Sequence, residues 1–275
     1  MATTLALLGA TGKTGREVLR RLLETPDVNI RLYVRSRSKL VNLFPNSASD
    51  PRISIFQGPI EDVDNMAKCL NGASKIIFAL GENNDFTGSV NVIETGARTV
   101  VAALSALRER CEDLQCPRLL MLSSATWNDT LNKSRPALIH WAIKTAFYHG
   151  YVDLRAGMAV VLAVPSLVNV LLVQPNGLVE DQPSGHEIST ERASFSVTYS
   201  DLGAAFVDLA LLKEYDTVSA VGVSSKDGDN GLKYGPILGY TIIRGLCATC
   251  IPGYWRLHQF FASLVSMLTL KRKSK

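Results

Sequence analysis

Long apolar runs are scarce in this 275-residue sequence. The best candidate, Leu257 to Leu270, carries Leu257, Phe260, Phe261, Leu264, Val265 and Leu268 as one helical stripe. At about 1.5 Å per residue it would span only roughly 21 Å, short of the roughly 30 Å of a bilayer core. A membrane crossing is therefore excluded. What remains open is packing within the chain, which is favoured, contact with a second copy in a homo-oligomer, or contact with a membrane surface through the basic tail. Cysteine is also sparse. Five residues, odd in number and scattered, give no disulfide framework and point to a reducing compartment, with the cytoplasm as the default. Cys247 and Cys250 share C-x-x-C spacing. There is no second pair, and only the lone His258 is near, so no metal is expected. Charge of one sign is not concentrated either. The net charge is +4, and the tail Lys271-Arg272-Lys273-Ser274-Lys275 supplies part of it, so no nucleic-acid partner is implied. No signal or transit sequence is visible before the first strand, and no repeat or low-complexity segment appears.

What is present is organised around Gly9-Ala10-Thr11-Gly12-Lys13-Thr14-Gly15. The apolar run Leu5 to Leu8 precedes it, and a helical pattern with Val18, Leu19, Leu22 and Leu23 on one face follows. Strand, glycine turn and helix in that order form a dinucleotide-binding unit. Gly9 permits the tight turn, Gly12 lets a pyrophosphate approach the backbone, and Gly15 lets the helix lie close to the strand. The helix N-terminus, including the Thr11, Lys13 and Thr14 region, then holds phosphate.

The second strand, Asn29 to Val34, ends in Arg35-Ser36-Arg37-Ser38-Lys39. An acid there would bind the ribose hydroxyl of NAD. Three cations and no acid fit the extra phosphate of NADP(H), with Arg35 as main contact and Arg37 and Lys39 as helpers. Strands follow at 53–56, 75–80 and 118–122. Leu80 and Gly81 close the fourth against the cofactor ribose. Ser123 and Ser124 close the fifth, at the crevice where ligands bind in doubly wound sheets. The fold expected is α/β. A Rossmann-type, mainly parallel sheet occupies residues 1–178, and a smaller substrate-covering portion with an apolar C-terminal helix occupies 179–275.

The G-x-x-G-x-x-G spacing resembles that of the NmrA-like atypical short-chain dehydrogenase/reductases. In that family the serine after the fifth strand orients a substrate carbonyl, and a following helix carries Tyr-x-x-x-Lys, the lysine holding the nicotinamide ribose. Here the helix after Pro136, read as one element to about Ala163, has His140-Trp141-Ala142-Ile143-Lys144. Lys144 matches, and histidine stands at the tyrosine position. Imidazole titrates near neutrality and can act as a general acid. Tyr148 and Tyr151 lie further along as back-up donors, but Tyr148 is followed four residues on by Val152 and Tyr151 by Arg155. Gln174-Pro175-Asn176-Gly177-Leu178 resembles the family's R-P-G-G-L turn, with Gln174 in place of arginine. Phe147 to Leu154 and Gln174 to Val179 are similar to a fungal subgroup, the averufin-oxidase-type proteins, associated with aromatic polyketides. The resemblance implies an NADP-dependent oxidoreductase acting on a small apolar aromatic or quinone-like metabolite, with Ser123 or Ser124, His140 or Tyr148, and Lys144 as catalytic groups. The lost tyrosine leaves two alternatives: a redox-inactive NADP-binding regulator, and a non-redox isomerase, cyclase or dehydratase. Asp181 to Ser194 reads as a polar lid loop, and Val218 to Val223 as a last strand.

Overall fold

The computed structural model describes residues 3–81, 91–111, 115–133 and 135–254. In chain order the elements are β1 (Thr3–Leu8), α1 (Lys13–Glu24), β2 (Val28–Val34), α2 (Arg37–Leu43), β3 (Ile53–Gln57), α3 (Val63–Leu70), β4 (Lys75–Phe78), α4 (Val92–Arg110) and β5 (Arg118–Leu122). They continue with α5 (Ala137–Ala146), α6 (Tyr148–Leu162), β6 (Asn169–Pro175), β7 (Gly177–Val179), β8 (His186–Ser189), β9 (Ser196–Thr198), α7 (Tyr199–Leu211), β10 (Ala220–Ser225) and α8 (Gly231–Cys250). The expected polar loop at 82–89 and the apolar stripe at 257–270 lie outside the described residues. Among the described residues no helix is long and apolar enough to cross a membrane.

The main sheet has the order β3-β2-β1-β4-β5-β6-β10-β8. Every pairing in it is parallel except β10 with the edge strand β8. Both faces are buried, as a parallel sheet covered by crossover helices requires. Alternation along β1 shows it: Leu5 and Leu7 face a core completed by Val18, Leu19, Leu202 and Phe206. Ala6 and Leu8 face the other, completed by Met66, Val100, Leu104 and Val161. The strand order reverses between β1 and β4, which opens the crevice above their carboxyl ends.

Three expectations are corrected. The sheet does not end near residue 178. β10 pairs with β6 and extends it, because Val221 and Val223 are apolar enough to be buried in the core. The stretch 181–194 is not all loop, since its residues 186–189 form the antiparallel edge strand on β10. The helix after Pro136 is two helices, broken at Phe147, whose φ and ψ of −108° and 23° leave the helical region. The physical reason is that the two halves have different partners. A Cβ on Gly245 of α8 would lie 2.6 Å from Ala146 O, so α5 is close-packed on α8. A Cβ on Gly157 would meet Ile93 at 2.7 Å, so α6 is close-packed on α4. Buried Asp153 locks that second register by accepting from the N–H groups of Ile93 at 2.9 Å and Glu94 at 2.8 Å, the first turn of α4.

Candidate active site

The glycine loop closes the carboxyl end of β1. Gly9 takes φ +91°, and a Cβ there would lie 2.5 Å from Ala79 O, so the loop abuts the end of β4. A Cβ on Gly15 would lie 2.1 Å from Gly9 O, so α1 can start this close to the strand only with glycine. Gly12 differs. Its added Cβ would meet only Gly9 O, at 3.3 Å, and would otherwise fill open space above the helix N-terminus. No side chain caps α1, and its first turn carries no acid. Arg16, in that turn, has a buried Nε without a hydrogen-bond partner among the described residues. An uncapped N-terminus and an open cradle at Gly12 suit a pyrophosphate, and Arg16, whose Nε lies 3.8 Å from Glu17 Oε1, brings a guanidinium beside them. The residues therefore fit a dinucleotide cofactor.

The other expected cofactor residues surround this loop. Thr14 is buried beneath it, and Thr11 is half-buried in its turn. Lys13 is engaged: its Nζ pairs with Glu180 Oε1 at 2.8 Å, just beyond β7, and sits 5.5 Å from the Tyr199 ring. The hydrogen bond to Glu180 raises the Lys13 pKa and lowers that of Glu180. Leu8 is paired in register with Tyr33, so Arg35 leaves β2 beside the loop. Arg35, Arg37 and Lys39 are exposed, and none has a carboxylate partner among the described residues. Ser36 caps α2 by accepting from Lys39 N–H at 3.2 Å, an element not expected from the sequence, and so fixes the direction of the basic run. Leu80 and Gly81 follow β4 at the edge of the crevice, and Pro175 is buried at the end of β6 opposite Val223.

The two serines after β5 part company. Ser123 is buried and donates to Met158 Sδ at 3.2 Å, so it belongs to the packing of α6. Ser124 is half-buried, and its Oγ lies 3.3 Å from Tyr151 Oη. Tyr151 Oη also lies 3.1 Å from Thr126 Oγ1, and its ring meets Trp127 edge-on at 5.6 Å. One helical turn on, Arg155 places its guanidinium carbon 4.8 Å from the Trp127 ring centroid. Lys144 Nζ, from α5, is 4.5 Å from the same centroid. Arg135 reaches in from the loop before α5, with Nη1 3.5 Å from Thr126 Oγ1 and Nη2 donating to Asn176 Oδ1. Asn176 is itself held by Ala193 O and Ser194 O. Gln174, at the position where arginine was expected, accepts from Asn128 Nδ2 at 2.7 Å, and Arg135 brings a guanidinium to the same segment.

Ser124 and Lys144 are thus brought together, while Ser123 is not. His140 lies near them on α5. Its imidazole is held below the ordinary histidine value, first by burial and then by the charges of Lys144 and Arg135, with Asp129 opposing. It therefore carries a proton less readily than an ordinary histidine. Tyr148 is 54% exposed beside His149 and does not join the cluster, because the break at Phe147 turns it out. Tyr151, Thr126, Trp127, Arg135 and Arg155 enter in its place. Tyr151, a back-up donor in the sequence, takes the central place, and Tyr151-x-x-x-Arg155 carries the four-residue spacing with arginine in place of lysine. Among the described residues no group of three or more metal-ligating side chains comes together.

Residues 9–211 match a family model described as NAD(P)H-binding. The oxidoreductase stcQ of Emericella nidulans is 35% identical over 209 residues, covering 74% of this chain and 76% of that protein. The oxidoreductase aflX of Aspergillus parasiticus is 34% identical over 224 residues, covering 79% of this chain and 83% of its own. A short-chain dehydrogenase/reductase of Veillonella parvula, solved in complex with NADP, superposes with a TM-score of 0.63 at 16% identity. The match covers 83% of this chain and 97% of that one and shows a shared fold.

Proposed function

Since the chain belongs to the NAD(P)H-binding family, in company with fungal oxidoreductases, we propose that it uses NADPH to reduce a carbonyl of a flat aromatic or quinone-like metabolite. The observation that carries this reading is the contact of Tyr151 Oη with Ser124 Oγ, 3.3 Å apart at the carboxyl end of β5. When bound, the cofactor supplies hydride. The chain's own residues do the rest. The glycine loop and Arg16 hold the pyrophosphate, and Arg35, Arg37 and Lys39 take the additional phosphate of NADPH. Ser124 and Tyr151 donate hydrogen bonds to the substrate oxygen, and Tyr151 passes its proton to that oxygen as negative charge develops there. Thr126, 3.1 Å from Tyr151 Oη, is placed to return a proton. Arg155 and Lys144 keep positive charge beside the oxygen and are the candidates for the nicotinamide ribose. The regulator reading drew on a missing tyrosine, and a phenol stands at the crevice. The aromatic substrate class draws on the resemblance to the averufin-oxidase-type proteins and on the Trp127, Tyr151 and Phe147 rings lining the site.

The test is a titration of purified protein with NADPH and NADH, then cofactor oxidation against a panel of anthraquinones and aryl ketones. Binding of NADPH in preference to NADH, with oxidation by some panel member, is expected. Tyr151→Phe should lower kcat by about 100-fold or more, the usual contribution of a positioned acid, with NADPH affinity and Tm retained. Wild-type turnover surviving in Tyr151→Phe would remove Tyr151 from the role. Failure to bind NADPH would end the cofactor reading.

A further inference from the structure

Three cations converge on Trp127 and Thr126: Lys144 and Arg155 within 5 Å of the indole centroid, and Arg135 on the Thr126 hydroxyl. None has a carboxylate within ion-pair distance among the described residues. The partners of Arg135 are Thr126 and Asn176, both neutral. A half-buried guanidinium without a counter-ion is costly, and burial lowers its pKa. The cofactor phosphates do not meet this need. They belong at the glycine loop on β1, two strands from β5, or roughly 10 Å at the usual strand spacing. The redox end of a nicotinamide cofactor carries no negative charge. The indole Nε1 of Trp127 is also buried with no hydrogen-bond partner among the described residues, one more donor aimed at nothing.

We propose that the substrate is an aromatic acid, whose carboxylate or phenolate oxygen is held by Arg135 and Lys144 while its ring lies along Trp127. This rests on reading the crevice as the place of hydride transfer. Either oxygen anion accepts charge-assisted hydrogen bonds from guanidinium and ammonium. The aromatic walls take the ring, and a cation over an indole already shows how charge and ring share the space.

The test is calorimetric titration of the full chain, saturated with NADPH, with an anthraquinone carboxylate and the matching anthraquinone carboxamide. A monohydroxyanthraquinone, titrated above and below its phenol pKa, separates phenolate from carboxylate recognition. The carboxylate is expected to bind at least about tenfold more tightly than the amide, the size of a charge-assisted hydrogen bond. Added salt should weaken the acid and spare the amide. Arg135→Gln and Lys144→Gln should each bring the two ligands to within about threefold of one another. If either variant fails to fold, the wild-type ratio and its salt dependence decide alone. Equal affinity for acid and amide together with no gain for the phenolate over the neutral phenol, or no binding of any of them, overturns the inference. If neutral quinones oxidise NADPH with no preference for the acid, the proposed function stands and this inference fails. If the acid is preferred but no ligand oxidises NADPH, the reverse holds.

Discussion

At the amino ends of the strands, Arg118 donates to Asn169 Oδ1 and to the carbonyls of Tyr215 and Val218. Nearby, Lys75 pairs with Asp216 and Arg52 with Asp50. At the carboxyl ends, Arg35, Arg37, Lys39, Arg135, Lys144 and Arg155 have no carboxylate partner among the described residues. The sheet is the same sheet and the residue types are the same. The difference lies in what each edge must do. The amino edge closes the chain on itself, so these cations serve folding. Among the described residues the six carboxyl-edge cations leave positive charge without a carboxylate, which an anionic ligand bound there would stabilise. Lys13 with Glu180, Arg16 with Glu17, and Lys233 with Asp181 and Asp227 are exceptions, carboxyl-edge cations already tied to carboxylates.

The largest break in this comparison should come from Arg118→Leu. The residue is 5% exposed, and its loss leaves Asn169 Oδ1 and the carbonyls of Tyr215 and Val218 without their donor. A cost of about 2–4 kcal/mol in unfolding free energy is expected, read by urea denaturation, while NADPH affinity in the folded fraction stays at the wild-type value. A parallel loss of NADPH affinity would mean the two edges are coupled and the contrast is false.

The carboxyl edge should behave in the opposite way. Arg35→Ser should weaken NADPH binding by about 10- to 100-fold, the worth of one or two charge-assisted hydrogen bonds to phosphate. NADH affinity and Tm should hardly move, because Arg35 is exposed and makes no ion pair among the described residues. Equal loss for both cofactors would place Arg35 on the shared pyrophosphate and not on the extra phosphate of NADPH.

These two edges were unequally legible in the sequence. Strand, glycine turn and helix follow one another within 24 residues, and local spacing carries that signal, so the cofactor half could be read directly. The basic run after β2 is local in the same way, and Arg35→Ser tests the role read for it. The substrate half was not, because it is assembled from distant segments. Tyr151 reaches Ser124 only because Asp153 caps α4 and Gly157 admits α6 against Ile93, contacts some 60 residues apart in the chain. A single helix from Pro136 to about Ala163 is the natural reading of the sequence, and it puts His140, Tyr148 and Tyr151 on roughly one face. The break comes from α5 and α6 packing on different neighbours, which periodicity does not encode. Strand β10 was missed as part of the main sheet for a related reason. Its partner β6 lies some 45 residues earlier, across β7, β8, β9 and α7.

The smallest effect should be at Lys75 and Asp216. They pair across the amino edge, and Lys75 holds the Asp216 carboxyl below its ordinary value. Asp216 is partly exposed, so Lys75→Met should cost under about 1 kcal/mol. The sign with pH can be worked out. A carboxyl whose folded pKa is depressed binds protons more weakly in the folded state than in the unfolded one. Its contribution is present in full above the unfolded value of 3.8 and disappears as pH falls through the lower folded value. Wild type and Lys75→Met should therefore differ near neutrality and converge in acid, where Asp216 is protonated in both. Stability measured by denaturant titration across that range checks it. A gap that persists in acid would mean that Lys75 stabilises the edge by packing its stem and not by charge, and the account of the amino edge as charge-paired would then rest on Arg52 with Asp50.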